Sequence, residues 1–108
     1  MPVPRVQILV CTNERGPEAT KPSCGPRGGL DVYRRFKDEI RDRGLRDEVI
    51  ATRTGCLKHC SLGVTVGVWP HNHWYGRVTT GDADEILRAA VEGRTVGRLL
   101  LPEDAPWE

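Results

Sequence analysis

The residues of this chain best able to do chemistry are its four cysteines, Cys11, Cys24, Cys56 and Cys60. Twelve residues separate the first two, thirty-one the middle two and three the last two. Four thiols brought to one place can hold an iron–sulfur cluster, hold zinc or close disulfides. Their neighbours are those of loops: Ser23-Cys24-Gly25-Pro26-Arg27 and Cys56-Leu57-Lys58-His59-Cys60. Burial as small hydrophobes explains such settings poorly. Structural zinc sites pair cysteines at short spacing on both halves of the site. Cys56 and Cys60 fit that habit, whereas Cys11 and Cys24 do not. A third reading, a dithiol oxidoreductase using Cys56 and Cys60, predicts reversible disulfide chemistry and a colourless protein.

The elements around the cysteines decide whether they meet. Arg5-Val6-Gln7-Ile8-Leu9-Val10 reads as a buried strand that stops at Cys11. The stretch from Cys11 to Gly29 is rich in proline and glycine and reads as a long loop. Leu30, Tyr33, Phe36 and Ile40 recur at helical spacing, charged residues fill the other side, and Gly44 is placed to stop the helix. Glu48 to Thr54 is a second strand, ending at Gly55-Cys56. A strand–helix–strand order implies a parallel pair, so both strands finish at one edge. Cys11 and Cys56 then lie near each other outside the carboxyl ends of neighbouring strands, where open α/β sheets place ligands.

Beyond Cys60, the residues alternate as in a strand, with Val64, Val66 and Val68 on one face and Thr65, Gly67 and Trp69 on the other. Pro70-His71-Asn72-His73 makes an exposed turn, and Trp74 to Val78 returns as an antiparallel strand at the sheet edge. A last helix opens with Thr80 or Asp82 as cap, buries Ala83, Ile86, Leu87, Ala90 and Val91, and ends at Gly93. The order is β-α-β-β-β-α: an α/β fold with a mixed four-stranded sheet and helices packed on it. Residues 1–93 form one domain and 94–108 an extension. Val96, Leu99, Leu100, Leu101 and Trp107 make that extension too apolar for a disordered tail.

Composition narrows the class. A chain of 108 residues, 38% hydrophobic and 29% charged, suits one soluble domain with one core. A formal net charge of +1 supplies no bulk field for nucleic acid or an anionic membrane. No apolar run approaches a membrane span. The N-terminal stretch lacks a signal-peptide pattern, so a cytoplasmic setting is expected, where structural disulfides are uncommon.

Several short stretches together carry a resemblance. They are Cys11-Thr12-Asn13, Ser23-Cys24-Gly25-Pro26-Arg27-Gly28, and Gly55-Cys56-Leu57-Lys58-His59-Cys60-Ser61-Leu62-Gly63. Val68-Trp69-Pro70 and Trp74-Tyr75-Gly76 complete them. On these the chain resembles the thioredoxin-like 2Fe-2S ferredoxins, a group similar also to one subunit of respiratory complex I and of related hydrogenases. The likeness covers residues 5 to 93 and departs at His71-Asn72-His73, where the family often has an acidic residue and glycine. It implies a thioredoxin-like fold without the thioredoxin Cys-x-x-Cys. It further implies one 2Fe-2S cluster on Cys11, Cys24, Cys56 and Cys60, and electron transfer between redox partner proteins without catalysis. A homodimer is implied as well.

On that reading, Gly25, Gly28 and Gly29 let backbone N–H groups approach the cluster sulfurs, and the first helix turns its positive end the same way. Arg27, Lys58 and Arg53 would offset a cluster charge of about minus two, rising to about minus three on reduction. Gly25-Pro26-Arg27-Gly28-Gly29 lacks the Lys-Ser/Thr ending of a phosphate loop. His59 reads as a loop residue beside the ligands. Trp69, Trp74 and Tyr75 serve either hairpin packing or a docking surface. A zinc-stabilised interaction module is the alternative from another class.

Overall fold

The β-branched run near the N-terminus builds β1 (Val6–Cys11), and a helix, α1 (Gly29–Asp42), carries the chain back to β2 (Val49–Thr54). A hairpin of β3 (Val66–Trp69) and β4 (His73–Tyr75) follows, then α2 (Ala83–Glu92). The computed structural model describes residues 3–12, 28–55 and 63–102. The strands form one mixed sheet in the order β2-β1-β3-β4. β1 runs parallel to β2, from Val6 opposite Val49 to Cys11 opposite Thr54. β3 lies antiparallel on its other side, with Val10 opposite Val66 and Gln7 opposite Trp69. β4 pairs antiparallel with β3.

The registers sort the side chains into two faces. Val6, Ile8, Val10, Val49, Val66, Val68 and Tyr75 share one face and join the core cluster with the buried sides of both helices. The core line of α1 is Gly29, Val32, Phe36 and Ile40. Val32 thus replaces the expected Leu30, which is half-buried, and Tyr33 packs at the margin. Steps of three and four residues admit both lines, and the position of α2 and the sheet selects one. Gly44, at φ +68, ends α1 as expected, with Leu45 N–H bonded to the Ile40 carbonyl at 2.9 Å.

A 3-10 turn, Thr80–Asp82, leads into α2. The Asp82 carboxylate accepts from Thr79 N–H at 2.9 Å and from the Thr79 hydroxyl at 3.0 Å. Asp82 therefore serves the helix start with Thr79 as its partner, not Thr80, because the extra 3-10 turn moves the cap back by one residue. α2 buries Ala83, Ile86, Leu87, Ala89 and Ala90, and Gly93 closes it at φ +73. Ion pairs lace the two helices: Arg43 pairs with Glu39 and with Asp84, which also meets Arg88 at 3.3 Å.

β3 is buried on both faces as far as Val68, Thr65 and Gly67 included. It lies inside the sheet, and the Trp74 ring comes within 3.6 Å of where a Gly67 side chain would start. β4 ends at Tyr75, not Val78, because Gly76 N–H turns to the Leu99 carbonyl at 2.9 Å. Leu101 N–H also bonds to the Trp74 carbonyl at 2.9 Å, and Tyr75 bridges to Leu100. The segment after α2 thus lies along the outer edge of β4 and adds Val96 and Leu99 to the core.

Candidate metal centre

Cys11 is the last residue of β1 and is fully buried. Its backbone is held from both sides. On the β2 side it stands in register with Thr54, and Thr12 N–H donates to the Thr54 carbonyl at 3.0 Å. The Thr12 hydroxyl reaches the same carbonyl at 3.2 Å. On the β3 side Cys11 N–H donates to the Thr65 carbonyl at 3.0 Å. These bonds follow from a β1 that ends between two strands, one leaving the rim and one entering it.

The same bonds locate the stems of the cysteine-bearing segments. Gly55, which precedes Cys56, follows the register partner of Cys11 by one residue. Gly63, where that segment returns, precedes the hydrogen-bond partner of Cys11 by two residues. The stems of 56–62 therefore stand on opposite sides of Cys11. The segment 13–27 leaves from Thr12 and returns at Gly28, the left-handed N-cap of α1 at φ +96. The first turn of α1 sits beside the end of β2, since the Arg53 guanidinium lies 5.9 Å from the centre of the Tyr33 ring. All four stems share one end of the sheet.

Cys24, Cys56 and Cys60 lie outside the described residues, as do Gly25, Arg27, Lys58, His59 and Trp107. Among the described residues no group of three or more histidine, cysteine or acidic side chains could hold a metal. Two cations line the rim within the described part, Arg53 on β2 and Arg77 after β4, and both are exposed. Arg77 also fixes Gly63. A Cβ on Gly63 would lie 2.7 Å from the Arg77 Cα, and Gly63 has φ +87, so only glycine fits there unstrained. Thr54, Thr65 and Arg77 carry no signal of their own in the sequence. Only the strand register exposes their part in holding the rim.

The histidines of the β3–β4 turn lie at the other end of the sheet, where Val68 pairs with His73. Their rings stack with centres 5.4 Å apart, and both are half-buried, not exposed as the turn sequence suggested. The Nδ1 atoms of both are buried and have no hydrogen-bond partner among the described residues. Burial, and then the neighbouring His71, hold His73 below its ordinary pKa. The three hairpin aromatics also divide. Tyr75 is core, with its hydroxyl accepting from Val96 N–H at 3.1 Å, while Trp69 is 53% exposed. Trp74 is half-buried, and its indole N–H donates to Asn72 at 2.7 Å.

No family model matches the chain. It is 35% identical to a 2Fe-2S ferredoxin of Aquifex aeolicus over 101 residues, which is 92% of this chain and 91% of that one. It is 36% identical to a 2Fe-2S ferredoxin of Clostridium pasteurianum over 97 residues, covering 89% and 95% of the two. The crystal structure of the wild-type thioredoxin-like 2Fe-2S ferredoxin from Aquifex aeolicus superposes with a TM-score of 0.85 at 33% identity. That match covers 94% of this chain and all of the other. With shared sequence over nine-tenths of its length and a shared fold, the chain belongs to the thioredoxin-like 2Fe-2S ferredoxins.

Proposed function

We propose that Cys11, Cys24, Cys56 and Cys60 are the four thiolate ligands of one 2Fe-2S cluster, and that the chain carries single electrons between redox partner proteins without catalysing a reaction itself. Family membership supports the carrier role and the cluster. The ligand set rests on one observation: the stems of the segment holding Cys56 and Cys60 stand on either side of the buried Cys11. The donor chemistry fits, since such a cluster takes four cysteine thiolates and these are the chain's only cysteines. When bound, the cluster accepts and returns one electron.

The chain's own residues hold that site and temper its charge. Cys11 is withdrawn from water and its backbone is fixed by neighbours on both sides. The N-terminus of α1 faces the rim with its positive end, and Arg53 and Arg77 add positive charge around it. All three favour added negative charge.

The sheet face away from the helices supports a homodimer. Registers place Gln7, Ile50 and Trp69 side by side there, with Leu9, Thr52 and Trp74 in the next row. Ile50 is 46% exposed and Trp69 53%. Among the described residues no helix is long and apolar enough to cross a membrane. A cytoplasmic carrier fits that and the near-neutral charge of +1, which also argues against nucleic acid as a partner. The ferredoxin relatives do not favour the zinc module or the Cys56/Cys60 dithiol oxidoreductase.

Visible absorption of anaerobically purified protein tests the assignment. Brown-red bands that bleach with dithionite are expected, and Cys11→Ala is expected to lose or alter them. A colourless zinc-containing sample, or a Cys11→Ala variant with an unchanged spectrum, would overturn the ligand set. For the dimer, solution mass should fall to that of one chain in Trp69→Asp. A wild-type protein of monomer mass removes the dimer.

A further inference from the structure

β4 has its outer edge closed by the segment after α2, but β2, the other edge strand, pairs among the described residues only with β1. Val6 N–H bonds to the Glu48 carbonyl at 3.1 Å and Thr12 N–H to the Thr54 carbonyl at 3.0 Å. In a parallel ladder this turns the peptide groups of residues 48, 50, 52 and 54 towards β1. Those of Ala51 and Arg53 therefore point outward, with no partner among the described residues. Natural proteins seldom leave such an edge unmanaged.

Beside that edge runs a groove of about 530 Å³ between β2 and α1, lined by Tyr33, Lys37, Arg46, Ile50 and Ala51. Its charge is unbalanced. Arg5, Arg35, Arg41, Arg43, Arg88, Arg94 and Arg98 each meet a carboxylate within 4.0 Å. Lys37, Arg46 and Arg53 meet none among the described residues, although Asp47 lines the groove's lower end. Lys37 and Arg53 both rest by the Tyr33 ring, at 5.7 and 5.9 Å. At its upper end the edge finishes at the rim that holds Cys11, since Arg53 pairs in register with Val10.

We infer that this edge is a docking site for an acidic, extended segment of a partner protein, which adds as a strand beside β2 with its carboxylates facing Lys37, Arg46 and Arg53. Main-chain bonds to Ala51 and Arg53 supply affinity, and the three cations supply selectivity. The occupant is a redox partner on the electron-carrier reading, because the added strand ends at the cysteine rim. The strand addition itself does not depend on the cluster.

The test uses the holoprotein and a peptide of about eight residues alternating valine and glutamate. Hydrogen exchange read by mass spectrometry should slow over residues 49–53 when the peptide binds. The double variant Lys37→Glu/Arg53→Glu should weaken binding about tenfold or more, and Arg77→Glu by less than about twofold. Unchanged exchange at 49–53 with saturating peptide would overturn the inference and leave the cations as guards of the edge. Equal losses in Arg77→Glu would reduce it to general charge attraction. Protection of 49–53 in the protein alone, on dimerisation, would assign the edge to a second copy. Exchange and peptide affinity are read without reference to the visible spectrum, so this inference and the cysteine assignment fail separately.

Discussion

Substituting Gly63 by alanine separates two costs that the structure keeps apart at other glycines. At Gly97 the φ is ordinary and a Cβ would meet nothing among the described residues within 4 Å. At Gly44 the φ is +68, again with open space. At Gly63 the φ is +87, and the Cβ would stand 2.7 Å from Cα and 3.0 Å from N of Arg77. Carbon atoms prefer separations of about 3.5–4.0 Å, and backbone cannot swing aside as a side-chain tip can. Arg77 is further pinned because the next residue, Val78, donates its N–H to the Val64 carbonyl at 3.1 Å.

The left-handed conformation costs alanine about 1–2 kcal/mol. Overpacking adds about 1–3 kcal/mol. Gly97→Ala should therefore change stability by no more than about 0.5 kcal/mol. Gly44→Ala should lose about 1–2 kcal/mol, and Gly63→Ala about 2–5 kcal/mol. Urea midpoints of the three variants, read by circular dichroism, measure the series. Cluster absorbance per protein should fall only in Gly63→Ala, whose stem carries Cys56 and Cys60. A Gly63→Ala protein no less stable than Gly44→Ala would refute the close approach to Arg77 and, with it, the account of how that stem is fixed.

Three other perturbations address other parts of the fold. Tyr75→Phe removes the acceptor of the buried Val96 N–H, bonded at 3.1 Å. It should cost about 1–3 kcal/mol in denaturant unfolding and speed hydrogen exchange over residues 96–101. Asp82→Asn should cost about 1 kcal/mol by weakening the helix start. Burial alone would raise the Asp82 pKa, but the Thr79 N–H, Arg98 and the Thr79 hydroxyl together hold it below 3.8. Its stabilisation is complete above that pH and lost as pH falls through the lower folded value, so the gap between wild type and Asp82→Asn should narrow in acid. His73 is held below its ordinary 6.5 by burial and by His71, so the folded state favours the neutral ring. That contribution is full above pH 6.5 and lost as pH falls below it, and His73→Gln should flatten the fall in thermal midpoint between about pH 7 and 5.

Element order and type were legible because β-branched runs and helical spacing are local signals. The parallel pairing of β1 and β2 followed from the helix between them, and it is what sets Cys11 beside Thr54. What was not legible depends on neighbours distant in sequence. Whether Val32 or Leu30 faces the core depends on where α2 lies. Alternation sorts Thr65 and Gly67 to one face, but their burial there comes from the inner position of β3 and, at Gly67, from the Trp74 ring. The half-burial of His71 likewise owes something to the end of α2, since a Cβ on Gly93 would come 3.9 Å from His71 Nε2. At the rim, the expectation that β1 and β2 end at one edge agrees with Cys11 standing opposite Thr54, while Cys56 itself lies outside the described residues. That Gly63 closes the other side was not foreseen.

The reason lies in the difference between chain order and spatial order. In sequence β2 is followed by β3, but in the sheet they are two places apart, with β1 between them. Neighbouring strands lie roughly 5 Å apart, so the 56–62 connection joins points roughly 10 Å apart on either side of Cys11. Had β3 paired with the free edge of β2, the parallel step alone would still have set Cys11 near Gly55, but Gly63 would have stood on the far side of β2. A strand–helix–strand reading therefore places one stem, and the insertion of β1 between β2 and β3 places the second. The antiparallel bond from Cys11 N–H to the Thr65 carbonyl records that insertion directly. Pairing of β1 with β3 is thus as much a condition for a four-thiolate site as the cysteines themselves.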